Sequence, residues 1–289
     1  MKLKGIDKFR EKTPGYPGNK VALLLLRGFV AAILAYLFLI LFDILPRLLP
    51  GIYFLFLLEP ILPVVGSFII GTIAIRMVAS MWTRREQMKA EYGNLAYQKM
   101  IPKGFTGVMI IPSVILHAFT SIRSLPPGSP VNDLTTQFSQ SLLPLLGITG
   151  QVDIWIRLIF SAFFVIVGLL VIRSSVLTFG IDYMTVVYLY FPEESEVQEH
   201  EIYSIVRHPV YMGAVILGGA AVFFRCSVYS IIFCLIVYLI FKIQIRTEES
   251  ELIERFGDGY AEYRKKVPAL YVHPRNLKSF IKFLNPKLR

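Results

Sequence analysis

The chain has 289 residues, 55% of them hydrophobic and only 17% charged, with a formal net charge of +10. That balance is too apolar for a water-soluble globular domain. The basic residues flank long apolar runs, as membrane loops do, so the positive charge does not point to nucleic acid.

In chain order, a basic opening (Lys2, Lys4, Lys8, Arg10, Lys12, Lys20) precedes an apolar run over 21–43. The run is too long for a signal peptide and has no small-residue cleavage site, so it reads as a retained anchor. Residues 46–60, PRLLPGIYFLFLLEP, are apolar but bracketed by prolines. They fit an interfacial turn, a re-entrant piece or the first part of a kinked span, with Glu59 at the interface. A spanning helix needs about 20 mostly apolar residues. Further spans are expected over 61–82, 105–122, 154–178, 210–224 and 227–243. The last two are short, joined almost directly through Arg225, and read as a helical hairpin. Cys226 and Cys234 lie in this region as packing residues, with no disulfide or metal spacing. No His, Cys and carboxylate cluster has the spacing of a metal site.

Lysine and arginine set the expected sidedness. The opening segment, the loop with Arg84, Arg85, Lys89, Lys99 and Lys103, and the tail after 243 are basic, whereas 124–152 has neither residue. The positive-inside rule places both termini in the cytoplasm and 124–152 outside. The loop 179–206 falls inside although it is acidic. Arg27, Arg76, Arg157 and Arg173 read as snorkelling side chains, and His117 as a hydrogen-bonded core residue. The expected fold is all-α: a polytopic, multi-pass membrane helical bundle of about six transmembrane helices. It divides into N-terminal transmembrane helices (1–150) and a C-terminal core with its tail (151–289).

Two stretches border the final hairpin. IYSIVRHPVYMG covers 202–213, and IRTEESELIERFGDGYAEYRKKVP covers 245–268. A helical pattern runs through Phe241, Ile245, Leu252 and Phe256 until Gly257-Asp258-Gly259 breaks it. The first stretch carries Tyr203, Arg207, His208, Pro209, Tyr211 and Gly213; the second carries Glu248, Glu249, Leu252, Phe256, Gly257, Tyr260 and Tyr263. Together, in this order, they resemble the isoprenylcysteine carboxyl methyltransferases and related phospholipid methyltransferases over roughly 160–272. The N-terminal spans carry no such likeness.

The resemblance implies S-adenosylmethionine as cofactor, a cytoplasmic cofactor pocket around the hairpin, and a lipophilic or lipidated acceptor entering from membrane lipid. Tyr203, His208, Pro209, Val210, Tyr211 and Glu248 match cofactor-contacting positions, as do Val197 and Gln198 upstream. Three departures stand out. Glu201 replaces a glycine two residues before Tyr203. Gln244 replaces an arginine, four residues before Glu248, that would hold a substrate carboxylate. The loop 182–200 is unusually acidic. Arg246 lies roughly 200° around the helix from Glu248 and pairs more naturally with Glu249. Arg207, Gln244 and Arg246 are therefore the acceptor-side catalytic candidates, with Lys242 a further cation nearby. The acceptor group is left open among a prenylcysteine carboxylate, an amine and a hydroxyl.

Physical chemistry supports the cofactor half independently. Methyl transfer at a sulfonium needs strict positioning more than acid–base machinery. Tyrosine faces attract such a cation by about 0.5–2 kcal/mol, and a carboxylate accepts from ribose hydroxyls or an ammonium group. Two other readings compete: a membrane reductase of related architecture that uses NADPH, and a non-enzymatic membrane scaffold.

Overall fold

The computed structural model of the protein describes residues 4–16, 18–120, 130–197 and 199–285. Among them every regular element is helical. A short helix α1 (Ile6–Glu11) leads into α2 (Gly18–Leu48). After α3 (Tyr53–Leu58) come α4 (Leu62–Thr83), α5 (Arg85–Tyr92) and α6 (Ala96–Thr120). Next come α7 (Asp133–Ser139), α8 (Gly150–Phe179), α9 (Ile181–Met184) and α10 (Val187–Tyr190). The chain closes with α11 (Pro209–Arg225), α12 (Val228–Phe256), α13 (Asp258–Lys266) and α14 (Leu277–Leu284).

Five stretches are long and apolar enough to cross a membrane: α2, α4, α5–α6, α8 and α12. Helix α11, at 17 residues, is a shorter sixth. On α8 the exposed residues include Val152, Trp155, Ile159, Phe163 and Ile166, spaced three or four apart. Such a stripe is costly in water and suited to lipid. The protein is a multi-pass integral membrane protein.

Two expected boundaries need correction. The segment 227–243 is not a short hairpin arm. It is the first half of α12, which runs unbroken for 29 residues to Phe256. No helix breaker intervenes before Gly257, which takes a φ of +57° that glycine tolerates without a Cβ clash. Residues 46–60 do not form one helical unit. Helix α2 runs through Pro46 to Leu48, and only the six-residue α3 follows before α4. Glu59 is 1% exposed; its carboxylate accepts from Arg47 Nε at 3.4 Å and from Asn132 N at 2.6 Å.

The two halves of the chain share one core. Leu39 of α2, Ala74 of α4 and Val114 of α6 pack with Val237 and Phe241 of α12. His117 is fully buried, as expected of a core residue. Its Nδ1 meets Ser67 Oγ at 3.0 Å and its Nε2 meets Asp43 Oδ2 at 2.8 Å, which ties α2, α4 and α6 together. Arg27, Arg76 and Arg173 stay on the exposed surface, while Arg157 pairs with Asp153 at 2.9 Å.

Both described ends of the chain gather at one end of the bundle. Residues 4–16 dock on the 178–194 loop: Lys4 Nζ donates to Thr178 O at 2.7 Å and Ile181 N donates to Lys4 O at 2.9 Å. Phe9 is buried against Tyr97 and Tyr190. Lys12 meets Glu194 at 2.7 Å, and Lys8 pairs with the same carboxylate. The strap accounts for part of the loop's acidity, since Lys8 and Lys12, far away in sequence, neutralise Glu194. At the other terminus Phe280 of α14 is buried with Ile202 and Tyr203.

Close helix contact constrains the bundle. A Cβ on Gly107 would lie 2.8 Å from Ala74 O and 2.8 Å from Met77 Cβ, so α4 and α6 touch through backbone there. Gly107→Leu should destabilise the purified protein by about 1–3 kcal/mol in thermal or denaturant unfolding. Gly51→Ala, with nothing within 4 Å, serves as the neutral control.

Candidate functional site

At the end that carries both described termini, a buried ion cluster joins three segments. Glu249 of α12 receives Arg207 Nη2 at 2.6 Å and Nε at 2.9 Å, His208 Nε2 at 3.2 Å and Arg264 Nε at 3.1 Å. Arg207 Nη1 also donates to Arg264 O at 2.7 Å and to Val267 O. The backbone follows the side chains: Arg207 N donates to Pro268 O at 3.0 Å, His208 N to Ala269 O at 3.1 Å, and Tyr263 Oη to Tyr203 O at 2.6 Å. Breaking such a buried pair by removing one partner costs about 3–5 kcal/mol, so the cluster anchors the chain after α13 onto 203–208.

The neighbouring glutamate faces elsewhere. Glu248 accepts from the Tyr211 hydroxyl and from Gln244 Nε2 at 2.9 Å, with His208 Nδ1 at 3.5 Å. Pro209 sits at the first position of α11, where its missing N–H costs nothing, and so aims His208 and Tyr211. The imidazole stacks on the Tyr211 ring at 5.6 Å and 5°, and Tyr211 stacks on Phe241 at 4.9 Å. Both nitrogens of His208 thus face carboxylates, an arrangement only the doubly protonated ring satisfies as donor. Burial pushes the ring toward the neutral form, but Glu248 and Glu249 outweigh it and hold the proton above the ordinary value of 6.5.

These residues border a cavity of about 370 Å³, within the range of small-molecule sites. One end is polar and aromatic, with Tyr203, His208, Tyr211 and Glu248, and beyond them Glu196, Glu251 and Arg255. The other end is apolar and comes from the N-terminal spans: Val78, Met81 and Trp82 of α4, and Ile101, Phe105 and Val108 of α6. Tyr183 and Tyr188, from the loop braced by the N-terminal strap, form a third side. Among the described residues no group of three or more His, Cys, Asp or Glu side chains could hold a metal ion.

Of the residues expected to contact a cofactor, Val197, Tyr203, His208, Pro209, Val210, Tyr211 and Glu248 all line this one cavity. Gln198 lies outside the described residues. The acceptor-side candidates behave differently. Arg207 lines the cavity, but Glu249 and two carbonyls occupy its guanidinium. Gln244 is 2% exposed and is not among the lining residues. It donates to Glu248 one turn away, and its Oε1 is buried with no hydrogen-bond partner among the described residues. Arg246 points to the exposed face, away from the cavity, and the expected pairing with Glu249 does not form. The helical rotation that separates position 246 from 248 explains its removal from the site.

Glu201 is the informative departure. Its φ is +51°, so the backbone keeps the left-handed conformation that glycine adopts without penalty. A side chain there costs roughly 1–2 kcal/mol. The carboxylate offsets part of that by accepting from Thr178 Oγ1 at 2.5 Å. Sequence reasoning missed Glu251 and Arg255, although their i+3 and i+7 spacing from Glu248 places all three on one helix face. It also missed the apolar end, because nothing in the spacing of α4 and α6 marks residues that meet only after folding.

Comparison with known proteins places this region. The phospholipid methyltransferase family model matches residues 156–259, from within α8 to the start of α13. Over 69 residues the chain is 42% identical to a protein-S-isoprenylcysteine O-methyltransferase from Schizosaccharomyces pombe, covering 24% of this chain and 29% of the relative. It is 30% identical over 104 residues to a probable protein-S-isoprenylcysteine O-methyltransferase from Oryza sativa subsp. indica, covering 36% of this chain and 54% of that one. A methanethiol S-methyltransferase 1 from Bradyrhizobium diazoefficiens is 32% identical over 69 residues, 24% of each chain. The chain thus spans about half or less of these relatives. No solved structure matches. The likeness to membrane methyltransferases holds over the segment that builds the polar end of the cavity.

His208 gives a pH test. Its folded pKa lies above its unfolded value, so the stability contributed by its proton is full below about pH 6.5 and is lost as pH rises through the raised folded value. Unfolding midpoints measured across neutral pH should fall with rising pH in the parent protein, and His208→Gln should flatten that slope. An unchanged slope would contradict the assignment.

Proposed function

We propose that the protein transfers a methyl group from S-adenosylmethionine to a lipophilic acceptor at the membrane. The observation that carries this reading is the single cavity with two unlike ends. A charged, water-borne cofactor needs carboxylate and aromatic partners, and a lipid-like acceptor needs an apolar wall. The cavity provides both, side by side.

The residues at the polar end fit the cofactor. Glu248, turned away from the ion cluster, is suited to accept from an ammonium group or ribose hydroxyls. Tyr203, stacked on Phe179 behind it, lines the cavity with an aromatic surface suited to a sulfonium, and Tyr211 holds Glu248 through its hydroxyl. Val197, Pro209 and Val210 add apolar contact, and His208 holds the Glu248 carboxylate in place. When bound, the cofactor supplies an electrophilic methyl group. The chain's contribution is orientation and exclusion of water, which suits a reaction dominated by positioning. The matched segment of the methyltransferase relatives contributes this end, which supports the same reading.

The relatives' names carry two acceptor classes, an isoprenylcysteine and methanethiol. Both are compatible with an apolar end built from α4 and α6. The proposed sidedness is that the end bearing the cavity and the basic segments faces the cytoplasm, where the cofactor is dissolved.

Isothermal titration of S-adenosylmethionine into the detergent-purified protein tests the reading. Glu248→Ala should weaken binding about 10- to 100-fold, the worth of a charge-assisted hydrogen bond, and His208→Ala should weaken it less. Unchanged affinity in both variants, or saturable binding of NADPH in place of S-adenosylmethionine, would overturn it.

A further inference from the structure

We infer that the apolar end of the cavity takes an uncharged lipophilic thiol, not a carboxylate. The inference rests on the methyl-transfer reading above and names the acceptor for it.

The first observation concerns cations. A carboxylate moved out of water into an apolar wall needs a positive partner. The cations that line the cavity are already matched. Arg207 is held by Glu249 and by two backbone carbonyls. Arg255 holds Glu251, through Nε at 2.8 Å, and donates to Ser195 Oγ at 3.1 Å. His208 lies between Glu248 and Glu249. At the position where an arginine would serve a carboxylate substrate stands Gln244, outside the lining and bonded to Glu248. Drawing any of these cations to an acceptor would strand a buried glutamate.

The second observation is a carboxylate behind the wall. Tyr188 lines the cavity, and its hydroxyl donates to Asp182 Oδ2 at 2.7 Å. Asp182 is 7% exposed, and its Oδ1 has no hydrogen-bond partner among the described residues. Gly5 of the N-terminal strap closes over it so tightly that a Cβ there would lie 1.8 Å from Oδ1. This pair provides a place for a proton, reached from the cavity through one phenol.

Acceptor chemistry then narrows. A fatty amine, with an ordinary pKa of about 10.4, is almost wholly the non-nucleophilic ammonium at neutral pH. An alkyl hydroxyl holds its proton too tightly for a carboxylate to take. A thiol enters uncharged, packs as a small hydrophobe, and gives up its proton far more readily than an alcohol, near pH 8.5 when it belongs to a cysteine. Its proton passes to Tyr188 Oη as the Tyr188 proton passes to Asp182. The thiolate sulfur forms the new bond to the methyl carbon, and the old methyl–sulfur bond breaks with its electron pair left on the donor sulfur. One cation and one anion become two neutral groups, which a dry cavity favours.

The test reads binding before turnover. Trp82 lines the apolar end, and the chain's other tryptophan is Trp155, so a Trp155→Phe background isolates the Trp82 signal. Octanethiol, octanoate, octylamine and octanol are titrated into the protein in nanodiscs without cofactor. Octanethiol should change Trp82 fluorescence saturably, and octanoate should bind at least about tenfold more weakly. Gly104→Leu, which pushes a side chain toward the Met81 thioether, should abolish the thiol signal and leave S-adenosylmethionine affinity intact. Octanoate binding as tight as octanethiol, or a thiol signal that survives Gly104→Leu, overturns the inference. With labelled methyl donor, a labelled thioether supports it, and a methyl ester, ether or N-methyl product overturns it. Asp182→Asn should keep thiol binding and KM while lowering kcat; an unchanged kcat overturns the proton path through Tyr188 to Asp182. Failure to bind S-adenosylmethionine alongside intact thiol binding would count against the methyl-transfer reading alone.

Discussion

The Arg207–Glu249 ion pair holds the functional end of the molecule together. It connects the loop before α11, the inner end of α12 and, through Arg264, helix α13. Each is an element that packing alone leaves loose. The loop carries Tyr203 and His208, which line the cavity, α12 extends beyond its apolar half, and α13 is a nine-residue helix of low apolar content. A buried charge pair rarely adds much net stability over an apolar replacement, but removing one partner is severely costly. That asymmetry enforces register. Once Glu249 is matched to Arg207, Glu248 one position before it must face the cavity, and the chain at 267–269 must lie against 207–208.

A second constraint comes from the opposite end of the chain. Residues 4–16 add little apolar surface of their own, yet they cover Asp182, neutralise Glu194 and bury Phe9 beside Tyr97. Individual surface ion pairs are worth about 0–1 kcal/mol. Their combined effect here is to tie down the loop that supplies Tyr183 and Tyr188 to the cavity wall. Glu194 of the acidic loop and Lys12 of the basic opening are therefore two sides of one contact, although 182 residues separate them in sequence.

Much of this was legible in the residues. Apolar run length gave the helices, because a bilayer rewards an unbroken stretch whatever its neighbours do. The pair of motifs around Tyr203 and Glu248 converged on one cavity because helical spacing and the fixed turn at Pro209 determine where those side chains point. What was not legible depended on contacts distant in sequence. Arg246 looked like a candidate by proximity, and only the actual rotation of α12 removes it. The burial of Glu59 was hidden because nothing near it in sequence shows that Arg47 and Asn132 close over it. Glu201 looked disruptive, yet the backbone holds it at a glycine-like φ with Thr178 as partner. The apolar end of the cavity was invisible, since α4 and α6 have ordinary apolar composition.

That last point bears on how the activity divides along the chain. The segment that matches methyltransferases, 156–259, supplies the polar end, while Met81, Trp82, Ile101 and Phe105 lie wholly outside it. Two functions that must cooperate in one cavity are thus written in different parts of the sequence. On the proposed reading the polar end must match the fixed shape and charge of its cofactor, which narrows the residue types that serve there. The apolar end needs only volume and low polarity, which many side chains provide. A single glycine, Gly104, sets the space beside Met81. On the proposed methyl-transfer reading, acceptor choice can therefore change through substitutions in α4 and α6 without disturbing Arg207, Glu249 or the carboxylate of Glu248, and the N-terminal helices are where that choice is set.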